Sequence, residues 1–177
     1  MKSGTMLIQI NPPEVDLEIF LDPETGDPLE YLIADGESQA TNNLHLYYGS
    51  TDIPGHTISW EFKFWTLDTL EQASQNKYGI SFFDLTADEQ ENIFDTTTPD
   101  YEGTSSSDYG SITSSSTTDT DGIATSTYTS GTEPGYMEIW WQDKSIKKAK
   151  RGSFMFIWPF GLDKWGKEKL KLRVWTD

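Results

Sequence analysis

The stretch His56–Phe64, HTISWEFKF, alternates with a period of two. Ile58, Trp60, Phe62 and Phe64 share one face, and Ser59, Glu61 and Lys63 share the other. That period is the strand's, since successive side chains of an extended chain point to opposite faces. LHLYY repeats the pattern, with Leu44, Leu46 and Tyr48 opposite His45 and Tyr47. KLKLRVW does so again, placing Leu170, Leu172 and Val174 opposite Lys169, Lys171 and Arg173, a distribution of charge that suits an edge strand. VDLEIFL, LEYLIA, YMEIWW and FMFIW are further short strand candidates, and DPETGDP, TDIPG, TDTDG and GTEPG supply turns between them. Many short strands separated by such turns predict a mainly β chain folded as an antiparallel sandwich.

Two segments depart from that rhythm. Residues 68–92 carry the helical material, with Thr86 and Glu89 spaced as a capping box, and one or two short helices are expected there. Residues 96–118 are almost all Thr, Ser, Asp, Gly and Tyr, too polar to bury a core of their own, and read as a long excursion or as exposed strands. No internal repeat is present. At 177 residues the chain suits one decorated domain. The expected division is a sandwich over 1–143, interrupted by an insertion at 66–110, with a basic extension at 144–177 packed on it.

Charge sharpens the division. Residues 1–143 hold 3 basic and 26 acidic side chains, whereas residues 144–177 hold 10 basic and 3 acidic. The acidic body repels phosphate backbones, so nucleic acid is not an expected partner. The basic extension reads either as a solvated complement to the body or as a docking element for an anionic protein surface. There is no cysteine, which removes disulfides and thiolate chemistry. MKSGTMLIQI has too short an apolar run for a leader peptide, no run approaches a membrane span, and a soluble chain made in the cytoplasm is expected.

The motif Asp119-Thr120-Asp121-Gly122 admits a calcium loop or a tight turn into a strand. The calcium loop wants a further carboxylate downstream, and IATSTYTSG has none; Asp-Gly is also a natural bend. The motif also belongs to a longer series: Ala34-Asp35-Gly36, Ser38-Gln39-Ala40-Thr41, Pro54-Gly55, Thr118 to Thr125 and Thr132 to Gly135. In that order these elements resemble the bacterial immunoglobulin-like domain, group 1, the module repeated in invasin- and intimin-type surface proteins. The resemblance covers about half the chain and implies an immunoglobulin-like sandwich, with Ala40 and Ala124 as small inward residues where the sheets approach. The chain departs from the family pattern in its long connection between Phe64 and Gly110 and in Ser126, which stands where an aliphatic residue is usual. A hairpin-like stretch, Val15 to Ile33, precedes the first family element.

Catalytic chemistry finds little footing. His45 and His56 have no spacing that joins them, and no nucleophile elbow, phosphate-cradling loop or zinc-protease motif occurs. No catalytic residue, metal site or cofactor is expected. The tryptophans are the better candidates: Trp60 and Trp141 fall inward, while Trp65, Trp140, Trp165 and Trp175 fall on outward or loop positions. Outward rings serve as a sugar-stacking platform or a protein anchor, or else lie beneath the insertion and the extension. With Lys169, Lys171 and Arg173 they form the candidate binding set. The expected function is a non-enzymatic structural or interaction module with protein partners in an oligomeric surface assembly, a virion surface or phage tail first. An extracellular adhesin or a carbohydrate-binding module is the alternative.

Overall fold

A computed structural model describes residues 13–143 and 172–175, the latter as backbone alone. Strands β1 (Glu14–Leu21), β2 (Tyr31–Ile33), β3 (Gln39–Tyr48), β4 (Thr51–Asp52) and β5 (Thr57–Thr66) lead into helices α1 (Leu67–Tyr78) and α2 (Ala87–Thr96). Four short strands follow, β6 (Tyr101–Gly103), β7 (Ser105–Ser106), β8 (Gly110–Ile112) and β9 (Ser115–Thr117), then β10 (Ile123–Ser130), β11 (Gly135–Asp143) and β12 (Leu172–Trp175). The first sheet runs β1-β3-β10-β8-β7, with β4 on β3; the second runs β2-β12-β11-β5-β6, with β9 on β5. Every pairing is antiparallel except β2 with β12. The two sheets pack around a shared core as a mainly antiparallel β-sandwich.

Alternation decides what fills it. Ala40, Leu44, Leu46 and Ala124 of the first sheet meet Ile58, Trp60, Phe62, Phe64, Met137 and Ile139 of the second, each at most 1% exposed. Ser126, the departure from the family pattern, is buried too, and its Oγ donates to the Thr113 carbonyl at 3.2 Å. The bulk missing there is made up by its neighbour on the strand, Tyr128, whose hydroxyl donates to the Tyr109 carbonyl at 2.6 Å and whose pKa burial pushes up. Buried polar atoms must find such partners, and the polar excursion supplies several. The Trp60 indole donates to Ser116 Oγ at 2.8 Å. Residues 101–117 therefore rejoin both sheets as β6 to β9 instead of looping free.

A second, smaller core explains the insertion. Trp65 and Tyr136, paired across β5 and β11, point away from the sandwich interior and are covered by Leu70, Phe82, Ile93 and Phe94. Thr66 caps α1 by accepting from the Thr69 N–H at 3.3 Å, and Gly79 ends it at φ 72°. Thr86 and Glu89 complete the expected capping box of α2. The insertion is thus two short helices that bury the outer face at one end of the β5–β11 pair.

Several expectations change. Val15 to Ile33 turns back on itself only at the tip, where Leu21 bridges to Pro28, and its strands do not pair: β1 pairs with β3 in one sheet while β2 lies in the other. Within β1 the ladder is interrupted between Glu18 and Leu21, where Phe20 takes a left-handed φ of 57°. Such a conformation costs a non-glycine residue about 1–2 kcal/mol. The Phe20 N–H is satisfied there by Asn42 Oδ1 at 3.0 Å, inside the core. Tyr48 is 45% exposed, at the last position of β3. Leu172–Trp175 is not an edge strand: it lies between β11 and β2. FMFIW, Lys169 and Lys171 lie outside the described residues. Leu170 does as well.

Replacing Trp60 with Ala should lower stability by about 3–5 kcal/mol, as large-to-small core changes do. Urea unfolding measures this directly; a loss below about 1 kcal/mol would place the indole outside the core.

Candidate functional site

Because β5 and β11 pair in register from Gly135 opposite Thr66 to Asp143 opposite Ile58, their outward residues also face one another. Glu138 stands across from Lys63, Trp140 from Glu61 and Gln142 from Ser59, and β6 adds Glu102 on the far side of Lys63. Lys63 Nζ lies 4.0 Å from the centroid of the Trp140 ring, a cation–π contact that covers part of one ring face. The indole itself is part-exposed. Around it lies a cleft of about 390 Å³, walled by Ser59, Glu61, Lys63, Glu102, Trp140 and Gln142. Two further polar atoms belong to residues of this wall. Ser59 Oγ and Trp141 Nε1 are buried with no hydrogen-bond partner. Buried groups in that state are rare and call for a reason, and a ligand polar group reaching them is one.

The expected tryptophan set divides. Trp140 is on the surface, as the alternation predicts. Trp65 is not available to a partner, being 2% exposed beneath the helices with its indole donating to the Thr97 carbonyl at 2.9 Å. The strand phase was right for Trp65, and the cover came from the insertion. Trp165 lies outside the described residues, and only the backbone of Arg173 and Trp175 is described, in β12. Trp141 packs inward against the main core, as expected. Ser59, Glu61 and Lys63 were legible as one outward face, but nothing in the sequence set them beside Trp140 and Gln142.

Other candidate groups are engaged elsewhere. His45 Nε2 lies 2.7 Å from Asp52 Oδ1, on the outer face of the first sheet. His56 Nδ1 lies 2.8 Å from Asp143 Oδ2, at the far end of the second sheet's central pair. Among the described residues no three His, Cys, Asp or Glu side chains gather as metal ligands. Asp119 folds its own turn: its Oδ1 accepts from the Asp121 N–H at 2.9 Å and the Ile123 N–H at 3.0 Å. Gly122 there has φ 71°, and a Cβ would sit 2.4 Å from the Leu46 carbonyl oxygen. Asp35 does the same for the Ala34–Gly36 turn. Hydrogen bonds from the Ser38 and Glu37 backbone N–H groups hold its carboxyl down at about 2.

No model of a known protein family matches the chain, and no curated protein matches it by sequence. Among solved structures, a C-terminal 282-residue fragment of intimin, in complex with the intimin-binding domain of the translocated intimin receptor Tir, aligns with it at a TM-score of 0.42. The alignment has 11% identity and covers 94% of this chain, which spans 33% of the intimin fragment. Among the described residues no helix is long and apolar enough to cross a membrane.

Since backbone donors already occupy Asp119, calcium should not raise the melting temperature relative to chelator. Asp119→Ala should lower it equally in both. A calcium-dependent rise that the substitution abolishes would identify a bound ion instead.

Proposed function

We propose that this chain is a non-enzymatic interaction module of a surface assembly, which engages a protein partner through the outer face of the second sheet. The observation that carries the reading is Trp140. A part-exposed indole in a cleft, held flat by Lys63 and edged by carboxylates, has the make-up of an interface anchor, combining large contact area with few side-chain torsions. The non-enzymatic reading draws on the employment of the conspicuous carboxylates. Asp22, Asp35 and Asp119 accept backbone N–H groups in turns, and Asp100 Oδ2 accepts from the Thr66 N–H at 2.7 Å. Groups committed to turns are poorly placed to exchange protons with a substrate.

For setting, we favour a virion surface or phage tail. The lopsided charge, with 3 basic and 26 acidic side chains over 1–143 against 10 and 3 over 144–177, suits subunits that pack side by side in a shell or tail. An extracellular or cell-surface adhesin is the alternative setting. In either, the basic segment 144–177 is the natural complement to an acidic neighbour. A glycan is the second reading for the cleft, favoured by the part-exposed Trp140 ring beside the polar side chains of Glu61, Glu102 and Gln142. Lys63 weighs against it by covering part of the ring face on which a sugar would stack.

Charge reversal tests the assembly. Sedimentation of the wild type and of a Lys169→Glu, Lys171→Glu, Arg173→Glu variant, each at low and high salt, should show the variant less associated, most clearly at low salt where screening is weakest. Equal association states in all four samples would remove the docking role of the basic segment. Trp140→Ala should leave the fold intact and abolish attachment to purified particles or cell envelopes; undiminished attachment would remove the Trp140 face as the contact.

A further inference from the structure

Two of the sandwich's edge strands among the described residues, β1 and β2, are treated very differently. At the edge of the first sheet, β1 carries Glu14, Asp16 and Glu18 at alternate positions and is kinked at Phe20. Charge and a bulge are the usual defences of an exposed strand against pairing with another chain. At the edge of the second sheet, β2 has neither. Tyr31, Leu32 and Ile33 include no charge, proline or positive φ. Their backbone pairs with β12 on one side and, among the described residues, with no strand on the other.

Beside this edge lies a cavity of about 430 Å³, lined among others by Asp22, Pro28, Leu29, Glu30, Tyr31 and Leu32. That volume lies within the range of small-ligand sites. Its far wall is rigid. Leu21 bridges to Pro28, the Leu29 N–H donates to the Phe20 carbonyl at 2.8 Å, and Asp22 Oδ1 accepts from the Glu24 N–H at 2.8 Å. Leu32 is 5% exposed and anchored in the core, while Tyr31 is 51% exposed. A tyrosine so placed is a characteristic interface residue.

We propose that this groove is a strand-addition site: it takes an extended segment of a partner protein, paired to the free edge of β2, with an apolar side chain against Leu29 and Tyr31 and a lysine or arginine beside Asp22 and Glu30. Backbone pairing supplies affinity in such sites and alternate side chains supply specificity. The charge of the segment follows from its surroundings, since Asp22 and Glu30 border the groove of a body with 26 acidic and 3 basic residues. A second copy of this chain does not fit. Its body, with 26 acidic and 3 basic residues over 1–143, would bring like charge against Asp22 and Glu30. The site is independent of the Trp140 face, which lies across β11 and β5.

The test uses the full chain and three synthetic peptides: one alternating Val and Lys, one alternating Val and Glu, and the first with alternate backbone nitrogens methylated. Fluorescence anisotropy should show binding of the Val/Lys peptide alone, weakening as salt rises. Hydrogen exchange should slow within Tyr31–Ile33. Tyr31→Ala, an exposed change that leaves the core alone, should weaken binding about tenfold, and Trp140→Ala should leave it unchanged. Equal binding of the methylated peptide would reduce the effect to charge adsorption and overturn the proposal. So would binding of the Val/Glu peptide, protection elsewhere in the chain, loss of binding in Trp140→Ala, or no binding at all.

Discussion

The register between β5 and β11 sets almost everything else in this protein. With Phe62 opposite Ile139 and Trp60 opposite Trp141, Ile58, Trp60, Phe62, Phe64, Met137 and Ile139 turn toward the first sheet, and Glu61, Lys63, Trp140 and Gln142 turn outward. A slip of one residue would reverse both faces at once, exposing the largest core side chains and burying an unshielded lysine and glutamate. Few alternatives compete with an arrangement whose failure is so costly. The same pair also bears the insertion, because Trp65 and Tyr136 continue the outward phase into a region that the two helices cover.

The faces of the two strands were readable from HTISWEFKF and YMEIWW, because both faces of a strand are written in alternate residues, but their pairing was not. The inward set around Leu44, Trp60 and Phe64 followed from the same rule, and the capping box at Thr86 marked α2 by local hydrogen-bonding chemistry. What escaped the sequence was decided by contacts distant along the chain. Trp65 faces outward as its phase requires and lies beneath the insertion, one of the readings the sequence offered. That Leu70, Phe82 and Phe94 are what cover it was not legible. Leu172–Trp175 has an edge strand's pattern of charge but sits between two neighbours. Ser126 is a polar residue in a core position, tolerable because the Thr113 carbonyl is within reach and Tyr128 supplies bulk nearby. Periodicity says which way a side chain points; it does not say what lies there.

The polar excursion illustrates how a segment without a core of its own becomes ordered. Residues 101–117 contribute few apolar groups, but Ser116 receives the Trp60 indole N–H, and β6 and β9 both pair with β5. The sandwich lends the excursion its order, and the excursion closes hydrogen bonds that the aromatic core would otherwise leave open. The surface carries two further features: the Trp140 cleft on one sheet face and, at that sheet's margin, the edge of β2, which has no second strand partner among the described residues.

The β5–β11 register is open to a direct measurement, because the chain has no cysteine and any introduced thiol is the only one present. Single-cysteine variants at Glu61, Lys63, Trp140 and Gln142 should react readily with a water-soluble maleimide in the native state. Variants at Ile58, Phe62 and Ile139 should react only on unfolding. Reactivity that is uniform along the two strands, or that alternates in the opposite phase, would contradict the register and with it the placement of the core and the Trp140 face.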